Sequence, residues 1–196
     1  MADEIKRRLV HASGSGLVVL YLLADSLELG LTWGRFQLLV GALALGALVL
    51  EFIRLRIGLD WALYDTLTRE YEQDQLAGYG LYMISMAVVV LLFDSQIALP
   101  AMLMLSLGDP ISGAVSDNTL RQVKSAKVLV TMFVVSALIA VPFLHEHPAA
   151  IVAAALGATL ADGVKLQLGD YIVDDNLTIP IYAGVLAYLA LEFVPV

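Results

Sequence analysis

Apolar residues in this chain do not alternate with polar ones at the period of a half-buried strand or helix. They come in long runs separated by short polar links. The runs cover 15–31, 36–53, 78–93, 96–107, 128–143, 149–160 and 177–194. A helix needs roughly 20 mostly apolar residues to cross a bilayer. The pattern predicts an all-α, polytopic integral membrane protein of about seven transmembrane helices, forming one membrane-embedded domain over 1–196. Two departures stand out. The stretch 54–77 is polar, but Trp61, Leu63, Tyr64, Leu67 and Tyr71 recur in it at helical spacing, as in a short amphipathic helix at the membrane surface. The run 96–107 is short, contains Pro100 and ends in Gly108-Asp109-Pro110, which reads as a broken helix lining a cavity and closing in a turn. In the second run, Gly41, Ala42, Ala44, Gly46 and Ala47 offer a face for close approach of a neighbouring helix.

Composition agrees with the pattern, since 60% of the 196 residues are hydrophobic. No cysteine is present, which excludes disulfides and thiolate metal ligands. The net charge of −8 argues against nucleic acid as a partner. Positive charge sets orientation. With the N-terminus inside and seven crossings, every Lys and Arg except Arg35 falls on the cytoplasmic side. The expected location is therefore a cell membrane, multi-pass, with a cytoplasmic N-terminus. That face also receives nearly all the residues able to do chemistry.

Two acidic stretches carry that chemistry. The first is 105–118, LSLGDPISGAVSDN, with Asp109 at its centre. Carboxylates suit Mg²⁺, which is usually held by one or two of them plus substrate phosphates. Gly108, Gly113 and Ala114 leave backbone open to a phosphate or ribose, and Arg121, Lys124 and Lys127 follow at near-helical spacing. The same tripeptide also reads as an ordinary solvated turn. The second stretch holds Asp162, Asp170, Asp174, Asp175 and Asn176, then Pro180, with Asp175 or Asn176 as the expected N-cap of the last helix. The N–H groups of that helix start would favour an anion. Arg7, Arg8 and His11 precede the first run, and Glu51 and Arg54 close the second, either as a local ion pair or with the acid orienting a phosphate-binding arginine. His145, Glu146 and His147 fall at the other end and read as an exposed turn. The last run has no lysine, which excludes a retinal Schiff base there.

Taken in order, RRLVHASGSG, EFIR, GDPISG, KS in KSAKVLVTMFVVS and DDNLTIPI resemble the dolichol kinase and phytol kinase family of CTP-dependent polyprenol and lipid-alcohol kinases. The resemblance covers nearly the whole chain. It implies transfer of the γ-phosphoryl group of CTP to a membrane isoprenoid or lipid alcohol of the dolichol, polyprenol or geranylgeraniol type, releasing CDP. It puts Arg7, His11, Glu51, Arg54, Gly108, Asp109, Lys124, Ser125, Asp175 and Asn176 on family motif positions. It implies Mg²⁺ on Asp109 and Asp175, with Asp162 as a further ligand. Lys124 and Arg7 would neutralise phosphate, Glu51 would orient Arg54, and Asn176 would face nucleotide or metal. An acid or His11 would take the alcohol proton. The implied partners are the lipid alcohol, the nucleotide and membrane lipids. The chain departs from the family at Ala126 and Lys127, where Glu-Gly is usual, and at Asp162, where glutamate is common. A cytidylyltransferase acting on a lipid phosphate and a small membrane carrier are the competing readings.

Overall fold

The computed structural model describes residues 2–58, 64, 68, 75–117, 122–168 and 171–194. Most of the expected surface helix around Trp61, Leu63, Leu67 and Tyr71 lies outside them, as do Asn118, Arg121, Asp170 and the side chain of Arg7.

The helices are α1 (Ala2–Ser13), α2 (Ser15–Ser26), α3 (Trp33–Phe52), α4 (Gly78–Leu92), α5 (Ser95–Leu103), α6 (Asp109–Ala114), α7 (Ala126–Leu144), α8 (Pro148–Gly163) and α9 (Asp175–Phe193). Five stretches are long and apolar enough to cross a membrane: Arg8–Ser26, Trp33–Ile57, Ser95–Ala114, Ala126–Leu144 and Asp175–Phe193. α4 and α8, of 15 and 16 residues, are apolar but shorter. Leucines such as Leu38, Leu45 and Leu138 are exposed on the outside, where a soluble protein would carry polar residues. The chain is built as an α-helical membrane protein.

Two features correct the expected element bounds. The first run does start a helix at Ser15, but that helix ends at Ser26 and a further helix precedes it. α1 reaches Ser13, and Gly14 keeps helical dihedrals, so the two helices nearly join. The hydroxyls of Ser13 and Ser15 donate to the Val10 and Ala12 carbonyls three residues back, so both are satisfied without leaving the helical path. The broken helix also does not end at Leu107. A π-helical turn, Met104–Gly108, joins α5 to α6, and Gly108-Asp109-Pro110 is helix, not turn. Pro110 lacks an N–H and crowds the carbonyl four residues back, and a widened turn just before it accommodates both.

This stretch is the centre of the bundle: 61% of its apolar window is buried, against 17–28% for the spans of α1–α2, α3 and α7. α9 lies beside it and packs along α8. The α8–α9 seam is built from Ala154, Ala158, Ala161, Ala183 and Ala187, all buried, with Gly157 against the backbone at Tyr182. That is the close approach expected of the second run. In α3, Gly41 and Gly46 instead face open space, and only Ala44 and Ala47 are buried.

The fold is not wholly α. Leu166–Leu168 (β1) pairs antiparallel with Tyr171–Val173 (β2) in a small ribbon between α8 and α9. Residues 122–124 run alongside it, with Val123 bridging Val164, Lys124 N–H donating to Gly163 O at 2.9 Å and Lys165 N–H to Gln122 O at 3.1 Å. This pairing brings the start of α7 to the end of α8.

Candidate active site

Three helix ends meet at this corner. Asp109 opens α6, Asp162 sits in the last turn of α8 and Asp175 opens α9. Each offers a carboxylate oxygen, and these oxygens lie within 4.8 Å of one another. Asp162 is buried, and the other two are half-buried. Because 122–124 pairs with 163–165, Lys124 lies next to Asp162. Its Nζ is 2.6 Å from Asp162 Oδ1 and 3.6 Å from Asp175 Oδ2. Burial tends to lower the Lys124 pKa, but the carboxylates of Asp175 and Asp162 outweigh it and hold the ammonium above its ordinary value. The Ser112 hydroxyl, one turn beyond Asp109, lies 3.2 Å from Asp162 Oδ2 and 3.1 Å from the Asp109 carbonyl.

With all three acids ionised, three negative charges face one ammonium and leave a formal charge of −2. An all-oxygen donor set of that charge fits a hard divalent cation such as Mg²⁺. Next to Asp175, Asn176 is buried, and its Oδ1 has no hydrogen-bond partner among the described residues. A buried amide oxygen without a donor is costly and suits a ligand or a cation.

His11 lies against the same corner. Its Nε2 is 3.0 Å from the Leu105 carbonyl and 3.7 Å from Asp109 Oδ2. A carbonyl can only accept, so Nε2 carries the proton and is a donor here. With Nε2 donating, the ring nitrogen left to accept a proton is Nδ1.

Other expected site residues fall elsewhere or take other roles. Gly108 is buried, and a methyl there would come within 3.2 Å of Met132 Sδ, so it lies at a close helix packing contact. Arg54 is engaged by Glu51, through Nε at 2.9 Å and Nη2 at 2.7 Å, and also donates to Gln75 O at 2.7 Å. Glu51 Oε2 accepts from Ala77 N–H at 2.9 Å. The pair thus ties the end of α3 to the start of α4. Ser125 precedes α7 as its N-cap residue but makes no side-chain cap bond. The N-cap of α9 is Asp174, one residue earlier than expected, and its carboxylate takes the Asn176 N–H at 2.9 Å. That N–H is therefore not open to an anion. Ala126 and Lys127 are exposed in the first turn of α7. His145 and Glu146 are exposed in the turn before α8, as expected.

α4 supplies residues that the pattern of runs did not single out. Gly80 packs on Glu51, the Tyr82 hydroxyl donates to the His11 carbonyl at 3.2 Å, and the Ser85 hydroxyl is 2.7 Å from Asn176 O. Tyr79, Tyr82 and Ser85 recur every three residues in an otherwise apolar helix, and that polar stripe is the signal that marks this face.

Comparison with protein-family models, curated proteins and solved structures finds no match to this chain.

Proposed function

We propose that this protein is a membrane-embedded kinase that transfers the γ-phosphoryl group of CTP to a lipid alcohol. The observation that carries the reading is the convergence of Asp109, Asp162 and Asp175 with Lys124 at the ends of apolar helices. Acid for a metal and base for phosphate is the pairing that phosphoryl transfer requires. CTP as donor and a dolichol, polyprenol or geranylgeraniol type of acceptor come from the resemblance of GDPISG, DDNLTIPI and the accompanying motifs. On this reading seven helices cross the membrane with the N-terminus inside, and the site faces the cytoplasm.

Mg²⁺ held by Asp109, Asp162 and Asp175 would supply charge neutralisation at the phosphate oxygens. Lys124 sits where it can pass from a carboxylate to a phosphate oxygen. The acceptor hydroxyl attacks the γ-phosphorus, the bridging oxygen leaves with CDP, and the alcohol proton goes to a carboxylate of the cluster. An apolar cleft of about 230 Å³ between α8 and α9, lined by Leu160, Ala161, Val164, Thr178 and Tyr182, suits the acceptor chain. Ala161 adjoins Asp162, and Thr178 is one turn from Asp175, so a chain lying there has its hydroxyl end near the carboxylates.

The test is purified protein with labelled CTP or ATP against a panel of polyprenols, geranylgeraniol and diacylglycerol. Lipid monophosphate and CDP are expected, and Asp109→Asn should abolish both. Pyrophosphate as product would point to a cytidylyltransferase. Lipid flux without nucleotide, or an Asp109→Asn variant of full activity, would refute the kinase.

A further inference from the structure

The helix that carries Asp109 has a defect in its hydrogen bonding, and another helix repairs it. In a regular α-helix the Leu105 carbonyl would accept from the Asp109 N–H, four residues on. Here the Asp109 N–H donates to Met104 O instead, across the π turn. The residue five positions beyond Leu105 is Pro110, which has no N–H to give. Leu105 is fully buried, so its carbonyl cannot turn to water. The His11 Nε2–H fills the place at 3.0 Å.

The His11 ring is itself held. Tyr82 meets it edge to face, with ring centroids 4.8 Å apart at 85°, and the Tyr82 hydroxyl binds the His11 carbonyl. A side chain at Gly14 would collide with that hydroxyl, so the helix turn after His11 is shaped to admit Tyr82. One turn earlier, Arg8 donates to Gly113 O at 3.1 Å. The N-terminal helix therefore grips the Asp109 helix on both sides of Asp109. The same His11 nitrogen stands 3.7 Å from Asp109 Oδ2.

We infer that His11, seated by Tyr82, is a positioning residue that latches the Pro110 helix defect and so sets the Asp109 carboxylate against Asp162 and Asp175. The inference deepens the kinase reading in that it treats Asp109 as a cation ligand. It also explains why a proline can directly follow that aspartate inside a helix. His11 acts by donating one hydrogen bond, a task a glutamine amide can share and an alanine cannot. Proton acceptance would need the imidazole itself.

The experiment uses full-length protein in detergent, with His11→Gln, His11→Ala, Pro110→Ala and the His11→Ala/Pro110→Ala double variant. Two quantities are read: thermal unfolding without divalent cation, and Mn²⁺ binding by electron paramagnetic resonance. His11→Ala should lower the melting temperature and weaken Mn²⁺ binding at least about tenfold, as loss of a ligand-orienting partner does. His11→Gln should restore most of both. Pro110→Ala returns an N–H to the defect, so His11→Ala should cost clearly less in that background. Additive single-variant effects, or a His11→Gln variant as impaired as His11→Ala, would overturn the latch. Wild-type protein that binds no Mn²⁺ would overturn the divalent-cation reading of the carboxylates, and the unfolding cycle would then judge the latch separately.

Discussion

Replacing Lys124 by methionine removes one positive charge and keeps most of the side chain's apolar length. The consequence follows from one ammonium set among three carboxylates. With Nζ 2.6 Å from Asp162 Oδ1 and 3.6 Å from Asp175 Oδ2, the attraction at an effective dielectric of ~20 is roughly 6 and 5 kcal/mol. Ionised carboxylate oxygens no more than 4.8 Å apart repel by at least roughly 3 kcal/mol for each of the three pairs. Lys124 thus offsets a large share of that repulsion. Without it, the repulsion is relieved only by the acids moving apart or taking up protons. The net loss is then that of removing one partner from a buried pair, about 3–5 kcal/mol. Because Lys124 is 26% exposed, the lower end applies. At this chain length about 3 kcal/mol corresponds to a melting temperature lower by on the order of 10 °C.

The assay is tryptophan-fluorescence melting in detergent, with EDTA or with Mg²⁺. Lys124→Met should melt earlier in EDTA and gain more from Mg²⁺ than wild type does, because a divalent cation then supplies the missing positive charge. Phosphoryl transfer should be lost in both conditions. The pH dependence has a definite sign. The Lys124 pKa is raised on folding, so its contribution is fully present below the ordinary value of 10.5 and is lost as pH rises through the higher folded value. The gap between variant and wild type should therefore hold from neutral pH to about 10 and close only above that. A variant that melts with wild type in EDTA would show that Lys124 does not hold the carboxylates together.

Two further outcomes test the packing and the cleft. Gly157→Val pushes a side chain into the Tyr182 carbonyl and should cost about 1–3 kcal/mol or more in unfolding experiments, whereas Gly41→Val, with nothing within 4 Å, should be near neutral. Leu160→Trp should block the α8–α9 cleft, raising KM for the lipid alcohol severalfold and leaving KM for CTP in place; an unchanged alcohol KM would remove the cleft from the acceptor path.

The apolar runs and the short links between them were legible in the sequence because crossing a bilayer demands length and apolarity directly. Asp109, Lys124, Asp162 and Asp175 could be assigned to one end of the bundle because each follows or precedes such a run. Which helix faces touch was not legible. Helices in lipid are apolar all round, so the 3.6-residue stripe that marks a buried face in water is missing. Small residues are then the remaining guide, and both 36–53 and 149–163 carry them. Only the second uses its glycines, Gly157 and Gly163, for close contact. The shift of the α9 cap to Asp174 is a choice among three adjacent residues that all cap well. The three-residue strands of the ribbon are too short to leave a pattern.

The Gly-Asp-Pro tripeptide shows why local sequence misled most at the centre of the site. Glycine and proline together favour a turn, and an aspartate between them strengthens that expectation. Two tertiary contacts favour a continuous helix instead. Met132 packs closely over Gly108, where a side chain would be tight, and His11 supplies the donor that Pro110 withholds from Leu105. Keeping the helix intact holds Asp109 on a rigid element packed against α7, with its carboxylate close to two acids on other helices. A turn at the same place would have given the carboxylate freedom to swing into water, away from the charges that repel it. The residues that look like a break are thus the ones that let a helix run on past a proline, and the partner that makes this possible lies 94 residues away in sequence.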